Sequence, residues 1–444
     1  MGEGVLTASG ALTDAAETAL LADAALARVE GALQMDGVPL TDIASAVGTP
    51  TYVYAATVIR ERFAALSEAL FDGVPGGRLH FAVKANGSLA VLRVLRDLGA
   101  GADIVSGGEL HRVLAAGFDP AHVVFSGVGK TRRELEQAIA AGVGQINAES
   151  VEEIGLLAEV AALGRQPVRV GLRINPDVTT GTHPYISTGQ GGIKFGVPGD
   201  RIAEAVQLIQ SAPSLQLVAM AVHIGSQIVD PAPYAAALET LAMAIADVEA
   251  LGARIDTVDI GGGYGVRYGA DAGLDLAALS AVVGPILRRF AAQGRRVMSE
   301  PGRWLVGPAG VLLTETLYVK QTGGKTFVIV DAGMNDLLRP ALYGAYHHAV
   351  EVQAQGRAPQ AVSIVGPVCE TGDFFAHDRM LPEVAPGERL TLLGAGAYAF
   401  SMSSNYNARP RAAEVLVDAG AWRVIRARES LDDLLRGEVL PTAP

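Results

Sequence analysis

Eight short apolar segments, each typical of a β-strand, alternate with longer helical segments between residues 79 and 300. The strand-like segments are LHFAV (79–83), ADIVS (102–106), HVVFSG (122–127), GQINA (144–148), VRVGLRI (168–174), LVAMAVHI (217–224), IDTVDI (255–260) and RRVMSE (295–300). Two of the helical segments open on a capping-box pattern, Thr131 with Glu134 and Ser150 with Glu153. Because successive strands are separated by helices, this order predicts right-handed crossovers and a parallel sheet.

The number of strand–helix units predicts how the sheet closes. Eight units in about 250 residues are the repeat of a (β/α)₈ barrel, an α/β fold. An open doubly wound sheet is the alternative interpretation of the same alternation. The fifth and sixth strand centres lie about 50 residues apart, and the Gly/Thr-rich sequence NPDVTTGTHPYISTGQGGIKFG between them predicts a functional loop at the barrel mouth.

After residue 308 the pattern changes to strands that are joined by tight turns. The segments 311–331 and 413–428 each predict a β-hairpin, the first turning at Thr-Gly-Gly. We therefore expect the barrel to span residues 57–308 and a β-sandwich or β-barrel-like domain to span 309–444. Residues 37–56 are expected to pair with this β domain, and residues 1–36 to form a loose leader.

Charge and cysteine content exclude several classes of partner. The 47 acidic and 35 basic residues give a formal net charge of −12, the wrong sign for binding nucleic acid or an anionic membrane. No apolar stretch approaches the roughly 20 residues of a membrane helix. The first residues are acidic where a signal peptide is basic, and the single cysteine, Cys369, cannot form an internal disulfide. These features predict a cytoplasmic protein.

Two nucleotide-binding motifs and a metal site can be dismissed. The segment GVGKT (127–131) follows a strand, but Val124 stands where a phosphate loop needs its first glycine. The segment GAGAYA (394–399) has the dinucleotide-binding spacing, but no amphipathic helix follows it. The eight histidines lack metal-binding spacing, and the adjacent His347 and His348 are expected at the surface. No metal is predicted.

Reactive side chains stand at the carboxyl ends of the predicted strands, where barrels of this kind carry their active sites. Lys84 follows the first strand. A desolvated lysine there has a lowered pKa and can attack a carbonyl, although a lysine that reaches solvent from the strand end is an equally good interpretation. Later strands end with Asp103, His223, Asp259 and Glu300.

The seventh and eighth strands are followed by segments suited to an anion. Gly261, Gly262 and Gly263 allow backbone amides to approach a phosphate, and SEPGR places Glu300 and Arg303 at the same rim. A phosphate cradle, a lysine amine and a buried carboxylate together match the phosphate, the aldehyde and the ring nitrogen of pyridoxal 5′-phosphate. This combination predicts that cofactor.

The motifs also carry a family resemblance. FAVKAN, GADIVSGGEL, HIGSQI, DIGGGYG and SEPGR occur in the order found in pyridoxal-phosphate decarboxylases with an alanine-racemase-like barrel and a β domain. HPYISTG…KFG, DAGMNDLLRPALYGAYH, GPVCETGDFFA and GAGAYAFSMSSNYN resemble the diaminopimelate decarboxylases in particular, and the similarity runs from residue 40 to residue 430. The resemblance implies a homodimer that has its active sites at the subunit interface. It also implies conversion of meso-2,6-diaminoheptanedioate (meso-diaminopimelate) to L-lysine and CO₂, the last step of lysine biosynthesis.

Matched position by position, the resemblance implies a role for each motif residue. The catalytic residues would be Lys84, as the Schiff-base lysine, and Cys369, as a proton donor that reaches the partner's active site. The other cofactor-binding residues would be Asp103, His223, Ser226, Gly261, Gly262, Gly263, Glu300, Pro301, Gly302, Arg303 and Tyr398. The substrate-binding residues would be Arg303, Arg339, Tyr343, Glu370 and Tyr398.

The residue types of the second half agree with this implication. Arg339 and Tyr343 lie one helical turn apart, although such a pair alone is more often a surface contact. Cys369 precedes Glu370 in PVCETGD, where no apolar periodicity predicts a buried cysteine. Arginines can hold carboxylates and Glu370 can hold an ammonium group. A substrate with an amino-acid group at both ends would use all of them.

Three alternative functions remain open at the level of sequence. A decarboxylase of ornithine, arginine or another polyamine precursor shares the barrel motifs but has little use for Arg339. An amino-acid racemase is disfavoured by Glu300, because a carboxylate keeps the ring nitrogen protonated and the ring a deep electron sink. A non-catalytic pyridoxal-phosphate carrier would need Lys84 but not Cys369.

Overall fold

The computed structural model describes residues 12–164, 166–178 and 194–441. Its contacts divide the chain into two units. The first comprises Ile59–Val266 and Ala272–Leu305, and the second comprises the described residues up to Val58, Arg267–Asp271 and the chain from Val306 on. In the described part of the chain, no helix is long and apolar enough to cross a membrane.

The N-terminal segment is ordered from its first helix onward. Its elements are α1 (Asp14–Asp23), β1 (Leu26–Val29), β2 (Ala32–Met35), β3 (Val38–Pro39), α2 (Leu40–Val47), β4 (Thr51–Ala55) and α3 (Ala56–Phe71). β1, β2 and β3 form a small antiparallel sheet. The prediction of a loose leader over residues 1–36 is therefore wrong for the described residues of that segment.

Two tight turns explain this order. Glu30 and Gly31 join β1 to β2 with φ of 50° and 80°, and Asp36 and Gly37 join β2 to β3 with φ of 51° and 81°. Positive φ at both central residues is the geometry of a type I′ hairpin turn, which matches the twist of the strands it joins. The sheet also buries apolar surface, because Met35 is completely inaccessible to solvent.

The first unit contains eight parallel strands, each followed by a helix. In chain order they are β5 (Arg78–Ala82), α4 (Leu89–Asp97), β6 (Gly101–Ile104), α5 (Gly107–Ala115), β7 (Val123–Phe125), α6 (Arg132–Ala141), β8 (Gln145–Ala148), α7 (Val151–Ala161), β9 (Val168–Arg173), α8 (Ile202–Ser211), β10 (Leu215–Ala221), α9 (Ala232–Ala250), β11 (Thr257–Asp259), α10 (Leu276–Ala292), β12 (Arg296–Ser299) and α11 (Arg303–Val306).

These eight strands close into a barrel in the order β10-β11-β12-β5-β6-β7-β8-β9. The predicted (β/α)₈ barrel is thus confirmed, and the open doubly wound sheet is excluded. The capping box predicted at Thr131 and Glu134 is present at the start of α6. The Gly/Thr-rich loop predicted at the barrel mouth lies largely outside the described residues.

The chain after residue 309 folds into the predicted β domain. Its elements are β13 (Gly310–Thr322), β14 (Lys325–Val330), α12 (Arg339–Tyr343), β15 (Ala349–Glu351), β16 (Pro359–Val365), β17 (Phe374–Pro382), β18 (Arg389–Leu392), β19 (Ala413–Asp418) and β20 (Ala421–Arg426). These strands form one sheet with β4, in the order β17-β16-β14-β13-β4-β19-β20. In addition, β18 pairs with β13, and β15 pairs with β18. Both predicted hairpins, β13–β14 and β19–β20, are confirmed.

Candidate active site

Lys84 and Asp103 meet at the carboxyl ends of β5 and β6. Lys84 Nζ lies 3.8 Å from Asp103 Oδ2, and the two side chains are 38% and 1% exposed. Among the described residues, neither Asp103 carboxyl oxygen accepts a hydrogen bond of good geometry. Burial and the nearby Glu300 raise the pKa of Asp103 to about 7, although Lys84 acts to lower it. The lysine is therefore half-buried beside a buried acid whose oxygens have unused acceptor capacity.

Glu300 and Asp259 form the acidic centre of the barrel mouth. Glu300, just after β12, is 7% exposed, and Asp259, at the end of β11, is inaccessible. They share a hydrogen bond, which requires a proton on one of the two carboxyl groups. Burial, together with Asp259, raises the pKa of Glu300 well above its usual range, and burial raises the pKa of Asp259 to about 6. A positive charge at this position would relieve the cost of ionising them.

Ser126 and Asn147, which were not predicted from the sequence, complete this acidic centre. Ser126 Oγ donates to Glu300 Oε1 at 3.4 Å. The amide of Asn147 donates to Ser126 Oγ at 3.1 Å and to Asp259 Oδ2 at 3.4 Å. Their signal in the sequence is the one that identified Asp103, because both lie at the carboxyl end of a predicted strand.

His223 is fixed in orientation by the glycine turn that follows β11. Gly262 donates its backbone N–H to His223 Nδ1 at 3.2 Å, so this nitrogen carries no hydrogen. Burial and the charge of Lys84 hold the pKa of His223 well below its usual range. The Gly261 N–H is also used internally, since it donates to Asp259 Oδ1 at 2.9 Å. Of the three glycines, only Gly263 has a backbone N–H with no acceptor among the described residues.

Close packing is the first reason why glycine is needed in this turn. A Cβ at Gly262 would lie 2.1 Å from the Glu300 carbonyl oxygen, and one at Gly263 would lie 2.3 Å from the Gly225 carbonyl oxygen. Gly261 and Gly263 also have left-handed φ values of 66° and 98°. The turn therefore holds β11 directly against the backbone next to Glu300.

Arg303 and Ser226 lie together at the same rim. Arg303 is 7% exposed and its Nη2 donates to Ser226 Oγ at 3.0 Å. Pro301 and Gly302, which precede Arg303, pack the end of β12 against residues 82–85 around Lys84. The Pro301 carbonyl accepts from Ala82 N at 3.0 Å, and a Cβ at Gly302 would lie 3.0 Å from the Ala85 side chain.

Two further charged pairs lie near the barrel mouth. One holds the strand ends together, and the other changes the pKa of site residues. Lys130, from the dismissed phosphate-loop motif, is buried, and its Nζ donates to Glu153 and to two backbone carbonyls at 2.6–2.7 Å. Arg173 pairs with Glu149 at 3.0 Å, with both side chains largely buried. The positive charge of Arg173 lowers the pKa of Glu300 and of His223.

In the second unit, Arg339 begins α12 and is only 6% exposed. Its Nη1 lies 2.9 Å from His347 Nε2, and its Cζ lies 4.6 Å from the ring centroid of Tyr268. Tyr343, one turn later, is half-buried. The surface placement that we expected for His347 and His348 is wrong, because they are 1% and 5% exposed. Their imidazole nitrogens are within hydrogen-bond distance of other protein groups. The absence of metal-binding spacing in the sequence could not show that these histidines are buried.

Cys369 and Glu370 lie in an exposed loop between β16 and β17. The Cys369 N–H donates to Asn407 Oδ1 at 2.8 Å, and a hydrogen bond from Tyr406 to Glu370 raises the pKa of Tyr406. Asp373, which was not predicted from the sequence, accepts two backbone N–H bonds of 2.6 Å, one from this loop and one from residue 334. The cysteine is therefore presented at the surface of a loop that is held firmly in shape.

Tyr398 lies in the GAGAYA segment, which is a turn followed by a short 3₁₀ helix at Phe400–Met402. Its φ of 55° is left-handed, a conformation that costs a tyrosine about 1–3 kcal/mol and is often associated with function. A Cβ at Gly396 would lie 1.7 Å from the Val306 carbonyl oxygen, so this turn also depends on glycine for close packing.

The structure thus places the predicted site residues in two groups. The first unit brings together Lys84, Asp103, His223, Ser226, Gly261, Gly262, Gly263, Glu300 and Arg303. The second unit carries Arg339, Tyr343, Cys369, Glu370 and Tyr398. The first group fits pyridoxal phosphate, because it combines a lysine amine, a buried acid with free acceptor capacity and a proton-sharing carboxyl pair.

Comparison with known proteins agrees with this chemistry. The family described as "Pyridoxal-dependent decarboxylase, pyridoxal binding domain" matches residues 57–307, so fold and site define a barrel decarboxylase whose cofactor is pyridoxal phosphate. Diaminopimelate decarboxylase from Aquifex aeolicus is 44% identical over 91% of this chain and 94% of its own. The same enzyme from Pseudomonas aeruginosa is 47% identical over 91% of this chain and 96% of its own.

A solved structure extends the comparison to three dimensions. Diaminopimelate decarboxylase from Helicobacter pylori, complexed with L-lysine, is similar with a TM-score of 0.85 and 38% identity, over 89% of this chain and 98% of its own. The protein described here belongs to the diaminopimelate decarboxylase family.

Proposed function

We propose that this protein converts meso-2,6-diaminoheptanedioate to L-lysine and CO₂. The observation that carries the proposal is the 44–47% identity, over about nine-tenths of both chains, to relatives named diaminopimelate decarboxylase. The site residues supply the groups that such a reaction needs, as described below.

Pyridoxal phosphate, when bound, supplies an electron sink for the electron pair left behind as a carboxylate departs as CO₂. Lys84 holds the aldehyde end of the cofactor, and Asp103 beside it stabilises the lysine's positive charge when the amine is protonated. Glu300 holds a proton at the ring nitrogen. Its burial beside Asp259 makes a cation favourable there, because a positive charge lowers the cost of ionising the two buried acids. Ser226 and the Gly263 N–H bind the phosphate.

His223 acts on the cofactor by position. The bond from Gly262 fixes the His223 imidazole in a single orientation, so that its ring can stack on the cofactor. Because its pKa is depressed, His223 stays neutral and does not compete with Glu300 for the proton at the ring nitrogen.

The substrate would be held at both ends. Arg303 and Arg339 bind carboxylates, and both are largely buried, so water does not screen their charge strongly. Tyr343 and Tyr398 add hydrogen bonds, and Glu370 binds an ammonium group. Cys369 Sγ gives its proton to the carbon that has lost CO₂ and recovers one from solvent, which its exposure allows.

We further infer that the active form is a homodimer in which Cys369 and Glu370 serve the partner's site. The exposure of both side chains supports this arrangement, because a loop that completes a neighbouring site must face outward. We also infer a cytoplasmic location, which is consistent with Cys369 because that compartment keeps an exposed free thiol reduced.

A panel of amino acids tests the proposal. The holoenzyme is incubated separately with meso-diaminopimelate, L-lysine, L-ornithine and L-arginine, and CO₂ is measured together with chiral separation of the products. We expect CO₂ only from meso-diaminopimelate, with L-lysine as the product. Release of CO₂ from ornithine or arginine, or epimerisation without CO₂, would replace the proposal with a polyamine-precursor decarboxylase or a racemase.

A further inference from the structure

Arg339 belongs to a compact cluster that we call the Arg339 clamp, formed by Tyr268, Arg339 and His347. The Arg339 guanidinium lies over the Tyr268 ring at 4.6 Å and reaches His347 Nε2 at 2.9 Å. The rings of Tyr268 and His347 also meet edge to face, with centroids 5.6 Å apart. All three members belong to the second unit, and the family resemblance assigned a role only to Arg339.

Hydrogen bonding determines the protonation of His347. Its Nδ1 lies 2.8 Å from the Leu393 carbonyl oxygen, which can only accept, so Nδ1 carries a hydrogen. A guanidinium can only donate, so Nε2 has no hydrogen and accepts from Arg339. The imidazole is therefore neutral and uses both nitrogens. The His347 carbonyl also accepts from Arg379 Nη1 at 3.2 Å, which fixes the backbone at the same place.

The position of Tyr268 is fixed as well. A Cβ at Gly394 would lie 2.9 Å from the Tyr268 ring, so the ring occupies space that only glycine leaves open. Gly394 directly follows Leu393, the residue that orients His347. The same short segment thus supports both partners of Arg339.

We propose that His347 and Tyr268 are positioning residues that hold the Arg339 guanidinium in one orientation for the substrate carboxylate that is retained in the product. This inference rests on the proposed function, which gives Arg339 its carboxylate. A mobile arginine loses side-chain freedom when it binds a ligand, whereas an arginine already held by a ring and an acceptor does not. The clamp therefore contributes affinity for ligands with the distal carboxylate, and none for ligands that lack it.

Two ligands, one with the distal carboxylate and one without it, test whether the clamp acts on that carboxylate. L-Lysine keeps the distal carboxylate, whereas 1,5-diaminopentane has the same two amines without it. Their dissociation constants are measured from the absorbance of the bound cofactor in the holoenzyme, together with KM and kcat for meso-diaminopimelate. In His347→Leu we expect L-lysine binding to weaken, and KM to rise, by about tenfold or more, because the charged donor loses its buried acceptor. Binding of 1,5-diaminopentane and kcat should stay near the parent values.

Two variants control for general damage. His347→Gln keeps a side-chain acceptor near the position of Nε2, so its L-lysine affinity should stay close to the parent's. His348→Leu makes the same change one residue further on, at a buried histidine that contacts Glu17 and Tyr346 instead of Arg339. It should bind L-lysine as the parent does.

The inference is overturned if His347→Leu binds L-lysine as tightly as the parent, or if both ligands weaken equally. If that variant fails to fold or to retain cofactor, Tyr268→Leu and Tyr268→Phe give the same comparison. The leucine should weaken L-lysine selectively by about fivefold, and the phenylalanine, which keeps the ring face, should not. A parent enzyme that releases no CO₂ from meso-diaminopimelate would overturn the proposed function instead, while the two-ligand comparison still tests the clamp.

Discussion

The proposed role of Cys369 as a proton donor depends on the exposed position of its thiol. Cys369 is exposed on a loop whose backbone N–H groups donate to Asp373 and Asn407, so the backbone that carries the thiol is held in place. Such a group can deliver a proton without contributing to the protein core. Its removal should therefore affect the reaction and leave the fold intact.

We expect Cys369→Ala to lower kcat by about 10²- to 10⁴-fold, the usual contribution of a positioned acid. The absorbance of bound cofactor and the melting temperature should stay at parent values. Steady-state CO₂ release measures the first effect. Thr371→Ala, an exposed neighbour on the same loop, is the matched control and should keep full activity; a Cys369→Ala enzyme with unchanged kcat would remove the thiol from the reaction.

The buried acids predict a pH dependence for the cofactor-free protein. In the folded state the pKa of Asp103 is raised to about 7, whereas in the unfolded chain it is near 4. Between about pH 4 and pH 7, Asp103 is therefore ionised in the unfolded chain but still protonated in the folded protein. Folding is therefore penalised increasingly over this window, by at most about 1.4 kcal/mol per pH unit, and the penalty levels off above pH 7.

Asp103→Asn removes this penalty. The free energy of unfolding of this variant, measured by urea titration, should increase relative to that of the parent as the pH rises from 4 to 7. Asp247→Asn, which changes an exposed carboxylate on α9, is the matched control. A difference for Asp103→Asn that does not change with pH would mean that the buried acid is not strained by ionisation.

The sequence indicated some candidate site residues and gave no sign of others, for a physical reason. Lys84, Asp103 and Glu300 were predictable because a charged residue directly after an apolar strand is costly to bury without a function. His347 was not, because its contacts are with Arg339, Leu393 and Tyr268, which are distant in sequence or become neighbours only when the β domain folds. Short-range spacing carries no record of such contacts.

Among the elements, the glycine turn after β11 controls how closely that strand approaches Glu300. Gly262 does not have a left-handed φ, so its need for glycine comes from close packing, because a Cβ there would lie only 2.1 Å from the Glu300 carbonyl oxygen. Gly262→Ala should cost about 1–3 kcal/mol of stability or more, through overpacking, and should weaken cofactor binding as Glu300 shifts.

Calorimetry and cofactor titration measure these two effects. Gly129→Ala is the matched control, because a Cβ there meets nothing within 4 Å and the residue is exposed. It should be neutral within about 0.5 kcal/mol. Equal behaviour of the two variants would show that the turn relaxes without disturbing the site.

The barrel strands could be predicted from sequence because most are short, largely apolar runs that are buried on both faces. Several of the helices between them also begin with a side-chain cap. The small N-terminal sheet could not be predicted in the same way, because its strands are two to four residues long. The dipeptides Glu30-Gly31 and Asp36-Gly37 are a sequence signal for the turns, but no turn was predicted from them. Short strands depend on their turns and on tertiary burial more than on pattern.

At the scale of the whole molecule, the proposed homodimer makes a quantitative prediction. Lys84→Ala and Cys369→Ala should each be nearly inactive alone. After subunit exchange of an equal mixture, half of the dimers contain one of each, and in these one site regains both residues if Cys369 acts on the partner's site. Activity should then recover to about a quarter of the parent's.

Subunit exchange is followed by CO₂ release over time. A mixture of two Cys369→Ala preparations is the control and should not recover. If the mixed sample stays inactive although exchange is demonstrated with differently tagged chains, then Cys369 serves the site of its own subunit.

The most direct test of the account uses the intact holoenzyme and meso-diaminopimelate labelled with ¹³C in both carboxylates. Labelled CO₂ and L-lysine are quantified in the same reaction. We predict one labelled CO₂ for each L-lysine formed, with the remaining label in the L-lysine carboxylate. Consumption of substrate without CO₂, or CO₂ without equimolar L-lysine, would contradict the assignment of this site as a diaminopimelate decarboxylase centre.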